Sequence, residues 1–234
     1  MKSINILGST GSIGKNTLSI IEQYPDDFSI NLLSAGSNIK EFANQISKFQ
    51  PKYAYLADKN VRDQLPHFAN TKLITDLEEY YEVLAIPHDI SICAIIGSAA
   101  LLPTMYAING CKRLGLANKE VVICAYPFLK QKIDENDVDL IPLDSEHNAI
   151  YQLIGYDMKN VENVIITASG GPFYGKQPSE FYDAKREEAI AHPNWSMGPK
   201  ISVDSASMMN KGLEYIEAKW LFNAHRDQLK VLIH

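Results

Sequence analysis

The feature that most constrains this chain lies in its first fourteen residues. A short apolar strand at residues 3–7 runs straight into Gly8, Gly11 and Gly14, and a helical pattern follows over residues 16–23. The spacing is G-x-x-G-x-x-G, a variant of the dinucleotide fingerprint. Glycines at such a turn let the backbone approach a pyrophosphate. The free amides and the helix dipole then favour the anion. A tight turn with no ligand is the plain alternative, but the position, at the first strand–helix junction of an alternating chain, favours the nucleotide.

The alternation continues. Phe28–Ala35 reads as a strand, Ile39–Phe49 as a helix ended by Pro51, and residues 52–56 as a third strand. The apolar run at 89–96 suits a strand buried on both faces. Leu101–Ile108 follows as a helix, and 114–117 and 140–143 are further short strands with helical material between. This rhythm predicts a doubly wound, Rossmann-like parallel sheet, with ligands at the carboxyl ends of its strands. Near Asp144 the character changes, and polar residues gather at strand ends and helix starts. A strand at 161–167, a charged helix at 178–191, a long helix at 205–222 capped by Asp204 or Ser205, and a strand at 228–233 are expected. The chain thus divides into a nucleotide domain, 1–143, and an α+β catalytic domain, 144–234.

Composition excludes several classes. With a net charge of −6, nothing suggests wrapping nucleic acid or lying on an anionic membrane. No apolar stretch reaches the roughly 18 residues that a membrane helix needs. Cys93, Cys111 and Cys124 are odd in number and form no CxxC, so a reducing compartment and a buried, structural Cys93 are expected. The first strand begins by about Ile4, leaving no room for a leader, which points to the cytoplasm.

Three further clusters carry chemistry. The turn after the second strand, Ser34 to Asn38, holds no acid to bind the ribose hydroxyls of NAD, which leaves space for the 2′-phosphate of NADP; the nearest cation is Lys40. Asp144 and Glu146, two apart after a strand, can turn two carboxylates toward one hard cation, although acids at a helix start are also common. Asn210 and Glu214 share a helix face with Lys211, either as a surface ion pair or as a phosphate and metal site. Ser169 and Ser205 could add donors to such a phosphate. His147 reads equally as a helix-start residue or a supporting one. Residues 192–198, with His192 and Trp195, could close over a ligand or simply pack.

Taken together, the segments at 7–14 (LGSTGSIG), 116–120 (LANKE), 144–150 (DSEHNAI), 169–173 (SGGPF), 192–198 (HPNWSMG) and 200–214 (KISVDSASMMNKGLE) resemble the 1-deoxy-D-xylulose 5-phosphate reductoisomerase family, in its order and spacing. The resemblance implies that Thr10, Gly11, Ser12, Ile13, Gly36, Asn38, Asn118, Glu120 and Gly198 touch NADPH. It implies that Asp144, Glu146 and Glu214 bind Mg²⁺, Mn²⁺ or Co²⁺. Lys119, Ser145, Glu146, Ser169, His192, Ser205, Asn210, Lys211 and Glu214 would contact a phosphosugar, with Lys119, Glu146 and His192 in catalytic roles and Trp195 on a covering loop. The implied reaction breaks and re-forms a carbon–carbon bond and then reduces the resulting aldehyde. A homodimer is implied too. Ser37 stands where the family often has Lys, Val121 where it usually has Ser, and Ala100 where it has Gly; residues 124–127 are an unfamiliar continuation. The family also continues for well over a hundred residues beyond this sequence, so the catalytic domain is expected to be incomplete. An inactive fragment that still binds nucleotide is the alternative to an active enzyme.

Overall fold

The computed structural model describes residues 1–191 and 198–233. They form two compact units, Met1–Asp144 and Ser145–His234.

The first unit is built on seven strands: β1 (Lys2–Leu7), β2 (Phe28–Ala35), β3 (Tyr53–Leu56), β4 (Lys72–Ile74), β5 (His88–Cys93), β6 (Cys111–Leu116) and β7 (Asp139–Pro142). All pair in parallel, in the order β4-β3-β2-β1-β5-β6-β7. The doubly wound sheet read from the sequence is present. The chain steps outward from β1 to β4, then returns to β5 and steps outward the other way. Right-handed crossovers therefore put the helices of the two halves on opposite faces. Because every strand runs the same way, the segments after Leu7, Ala35, Cys93, Leu116 and Pro142 all emerge at one edge.

Apolar periodicity explains how that edge is held. Helices Ser12–Gln23 and Ile39–Phe49 bury Leu18, Ile21, Phe42 and Ile46 against Ile4, Ile6, Ile30 and Leu33 of the sheet. Each such side chain contributes about 1.5–3 kcal/mol by leaving water. Cys93 is buried as expected, and burial pushes its thiol up to about 12, which makes it an inert core group. Ala100 sits at φ −71° and is fully buried, so its backbone does not require the glycine usual in the family.

Some elements differ from the sequence reading. Strand β4 and helix Leu77–Leu84 were not expected; three residues are too few to show a period. The strand expected at 89–96 is shorter, ending at Cys93. Helix Lys119–Glu135 kinks at Ala125 (φ −146°), two residues before Pro127, whose ring nitrogen cannot donate into the helix.

In the second unit, helix Ser145–Ile154 precedes β8 (Val164–Ala168), which pairs in parallel with β9 (Leu229–Ile233). The single charged helix expected at 178–191 is instead two short turns, Pro178–Phe181 and Arg186–Ile190. The carboxylates of Glu180 and Glu188 accept the amides of Gln177 (2.6 Å) and Lys185 (2.9 Å), so these acids cap two separate starts rather than decorate one face. The long helix expected at 205–222 is also broken, into Pro199–Ala206 and Met209–Leu221, with Met208 left-handed at φ 60°. The Ser207 hydroxyl donates to the carbonyls of Val203 and Asp204, competing with the helix ladder at the break. Neither Asp204 nor Ser205 caps the second helix; Asp204 pairs with Lys200 at 2.7 Å.

A buried polar chain crosses the middle of the large sheet. Asn31 donates to Asn5 (2.8 Å), Asn5 donates to His88 Nε2 (3.1 Å), and Ser91 Oγ lies 2.7 Å from the same nitrogen. His88 Nδ1 faces the Ile86 carbonyl at 2.7 Å, so Nδ1 carries the proton and the ring is neutral. Burial lowers the His88 pKa. A histidine held neutral contributes stability that is complete above its unfolded pKa of about 6.5 and is lost as pH falls below it. Thermal melts between pH 7 and pH 5 should therefore show a larger fall in Tm for the wild-type chain than for His88→Gln. Parallel curves would show that His88 does not couple protonation to folding.

Candidate functional site

In the first unit the glycine turn is dictated by close approach. Gly8 has φ 87°, and a Cβ there would lie 2.6 Å from the Ala94 carbonyl oxygen at the end of β5. A Cβ on Gly14 would lie 2.4 Å from the Gly8 oxygen. The turn can therefore wind tightly against β5 and the helix can pack closely on the turn. The amides of Gly8 and Ser9 donate to the Ser34 carbonyl of β2, each at 2.9 Å. Gly11 occupies the N-cap of helix Ser12–Gln23 and offers no side-chain cap, so the first helical amides, with Thr10, Ser12 and Ile13, are left for an anion. Gly36 has open space around its α-carbon, and Asn38 caps helix Ile39–Phe49 by accepting the Glu41 amide. These residues suit a dinucleotide's phosphates. Replacing Gly14 with Ala should cost more than about 2 kcal/mol of stability, because backbone atoms must move; a denaturant melt with an unchanged midpoint would contradict this.

Asn118, Lys119 and Glu120 follow β6. The Asn118 amide donates to the carbonyls of Ile95 (2.7 Å) and Gly97 (2.9 Å) and accepts the Val121 amide (2.7 Å). Its side chain thus ties two strand ends together. The substitution at 121 leaves this capping bond intact, because the bond uses the backbone, and the Val121 side chain is buried. Lys119 is nearly buried and pairs with Asp144 at 3.0 Å, a residue whose side chain is also only 11% exposed. Asp144 is thus held by a cation at the same sheet edge.

In the second unit two acids distant in sequence converge on one ammonium. Lys211 Nζ lies 2.7 Å from Glu146 Oε1 and also bonds Glu214. Asn210 donates to the other Glu214 oxygen, and Ser145 donates to Glu146 at 2.6 Å. Glu214 is 1% exposed and Lys211 6%, so this is no surface ion pair. His147, fully buried, lies with Nε2 2.9 Å from the Glu214 carbonyl oxygen and Nδ1 3.5 Å from Glu217. Holding a partly exposed Glu146 and a buried Glu214 on one lysine concentrates negative charge, and their hard oxygen donors fit Mg²⁺ or Mn²⁺.

Ser169 and Ser205 are also brought to neighbouring backbone. A Cβ on Gly171 would lie 2.3 Å from the Ser205 carbonyl oxygen, so the Ser-Gly-Gly turn packs directly on helix Pro199–Ala206. Gly198 is the exposed N-cap of that helix. His192 and Trp195 lie outside the described residues. Glu217 was not singled out from the sequence. Its signal was available: it stands three residues after Glu214, on the same helix face. Gln45, which donates to the Ser9 carbonyl, was missed as well.

The family model described as 1-deoxy-D-xylulose 5-phosphate reductoisomerase matches residues 4–126, and that of the family's C-terminal domain matches residues 140–222. Curated proteins named 1-deoxy-D-xylulose 5-phosphate reductoisomerase from Shouchella clausii and Haemophilus ducreyi are 45% and 44% identical over the whole chain. The chain spans 63% of the length of each. A solved DOX-P reductoisomerase in complex with NADPH, fosmidomycin and magnesium is 36% identical with a TM-score of 0.91, covering 100% of this chain and 61% of that one. The Zymomonas mobilis enzyme in complex with NADPH is also 36% identical, with a TM-score of 0.89 over 99% of this chain and 60% of that one. The model match covers more than half of the sequence, and the chain belongs to the 1-deoxy-D-xylulose 5-phosphate reductoisomerase family.

Proposed function

We propose that this chain binds NADPH and a divalent cation, Mg²⁺, Mn²⁺ or Co²⁺, and serves the conversion of 1-deoxy-D-xylulose 5-phosphate to 2-C-methyl-D-erythritol 4-phosphate in non-mevalonate isoprenoid precursor synthesis. The observation that carries this reading is the meeting of Glu146 and the buried Glu214 on one positive charge. Solved relatives described with NADPH and with magnesium support it.

Glu146 and Glu214 would hold the cation, joined by Asp144, which is separated from Glu146 by Ser145 alone. When bound, the cation would polarise the substrate's carbonyl and neighbouring hydroxyl, and NADPH would supply the hydride. The chain's own residues do the rest. Thr10, Gly11, Ser12 and Ile13 present backbone to the pyrophosphate, with Gly36, Asn38, Asn118, Glu120 and Gly198 completing the nucleotide contacts. Lys119 offsets negative charge that develops on the substrate. Ser145, Ser169, Ser205, Asn210 and Lys211 position the phosphosugar, and His192 completes that set. A bound cation would take over the neutralisation of the two glutamates, which would leave Lys211 available to the phosphate.

Among the described residues no helix is long and apolar enough to cross a membrane. A cytoplasmic location and a homodimer belong to the same proposal. A second reading, nucleotide binding without turnover, is favoured by apolar side chains left uncovered on the two-stranded sheet: Ile165 is 55% exposed, Val231 42% and Leu232 53%.

The two readings separate in one assay. The first requires NADPH oxidation that depends on both 1-deoxy-D-xylulose 5-phosphate and Mn²⁺; a folded sample that binds NADPH without oxidising it supports the second. If the chain turns over, Glu214→Gln should lower kcat at least about a hundredfold and leave the NADPH Kd within about twofold. Loss of both would mark a folding defect, and full activity would remove Glu214 from the cation site.

A further inference from the structure

Gln45 sits on the inward face of helix Ile39–Phe49, between Phe42 and Ile46, and is 5% exposed. An amide on a core-facing position is unusual and calls for a partner. Its Nε2 donates to the Ser9 carbonyl at 3.0 Å, across 36 residues of sequence, and to Glu41 Oε1 at 3.3 Å. Both neighbours are acceptors, so the nitrogen must face them. The amide oxygen is then left buried with no hydrogen-bond partner among the described residues. A glutamine that leaves a polar atom unpaired does not maximise stability, so its retained bond to Ser9 asks for another explanation.

The bond acts on the glycine turn. The Ser9 amide already donates to Ser34, so the residue is held at its amide by β2 and at its carbonyl by Gln45. In a planar trans peptide the carbonyl of one residue and the amide of the next point opposite ways. Fixing the Ser9 carbonyl therefore fixes the Thr10 N–H, which makes no hydrogen bond among the described residues. We infer that Gln45 is a positioning residue for the nucleotide: by clamping the Ser9 carbonyl it aims the Thr10 amide at the dinucleotide's pyrophosphate. The inference rests on the nucleotide reading above and adds to it a residue that does not touch the ligand. The same helix begins at Asn38, so one rigid element sets both the pyrophosphate turn and the ribose end of the site.

The test is Gln45→Met, which keeps length and volume, removes the donor and removes the unpaired oxygen. Binding of NADPH and of NADH is followed by fluorescence titration, and Tm by calorimetry. The clamp predicts an unchanged or higher Tm, with both dissociation constants raised by the same factor, roughly tenfold, because the pyrophosphate is common to both. An unchanged Kd would overturn the inference, and so would a loss confined to NADPH, which would place the effect at the 2′-phosphate instead. Should Tm fall along with affinity, Ile46→Val, a core change one residue along the same helix, is the control. Normal NADPH binding at a matched loss of Tm supports the clamp, and equal weakening overturns it. A wild-type chain that binds neither nucleotide would overturn the nucleotide reading itself, and this inference with it.

Discussion

The second unit depends on a charge problem and its solution. Glu146 at the start of one helix, its side chain 28% exposed, and the buried Glu214 in the middle of another are brought together, and Lys211 sits between them. Two carboxylates this close repel each other unless a cation lies between them or one takes a proton, and the Lys211 ammonium supplies the cation. The ammonium therefore marks where positive charge is required. His147 and Glu217 extend the arrangement by joining the two helices behind the acids. The register between those helices fixes the separation of the carboxylates, so the break at Met208, which sets where the Met209–Leu221 helix starts, is part of the site's construction.

The first unit solves a different problem, that of holding exposed backbone amides still. A parallel sheet brings five connecting segments to one edge, and apolar packing of two helices fixes the edge in place. Precision comes from a small number of polar ties. Ser34 receives two amides of the glycine turn, Gln45 holds the turn's carbonyl, and Asn118 binds the ends of β5 and β6 to each other. Each tie satisfies a backbone group of the turn or strand ends, although Gln45 does so with its own amide oxygen left buried and unpaired among the described residues. What they leave unsatisfied, chiefly the amides at the start of helix Ser12–Gln23, is what an anion can use.

Much of this was legible in the sequence, for identifiable reasons. The parallel sheet follows from apolar runs of strand length alternating with helical spacing, and the glycine turn follows from chain geometry that no other residue meets at Gly8 and Gly14. Less legible were features that depend on competition between local hydrogen bonds. The charged run at 178–191 carries helical composition, yet Glu180 and Glu188 cap two separate turns. The break at Met208 had no glycine or proline to announce it; the Ser207 hydroxyl marks it instead. Gln45 is a polar residue within a helix that the sequence marks by its apolar spacing. Its inward position emerges only once the helix phase is fixed by Phe42 and Ile46. The resemblance of 144–150 and 200–214 to one family named Glu146 and Glu214 as partners, but nothing in their spacing shows that Lys211 bridges them.

The central claim is that Lys211 occupies the place of positive charge that a divalent cation takes over. Anomalous diffraction from crystals grown with Mn²⁺ tests it directly. The account predicts one strong peak with Glu146 and Glu214 oxygens about 2.1 Å away and the Lys211 ammonium moved off the two carboxylates. Saturating Mn²⁺ with Lys211 still bridging Glu146 and Glu214, and no peak beside them, would contradict it.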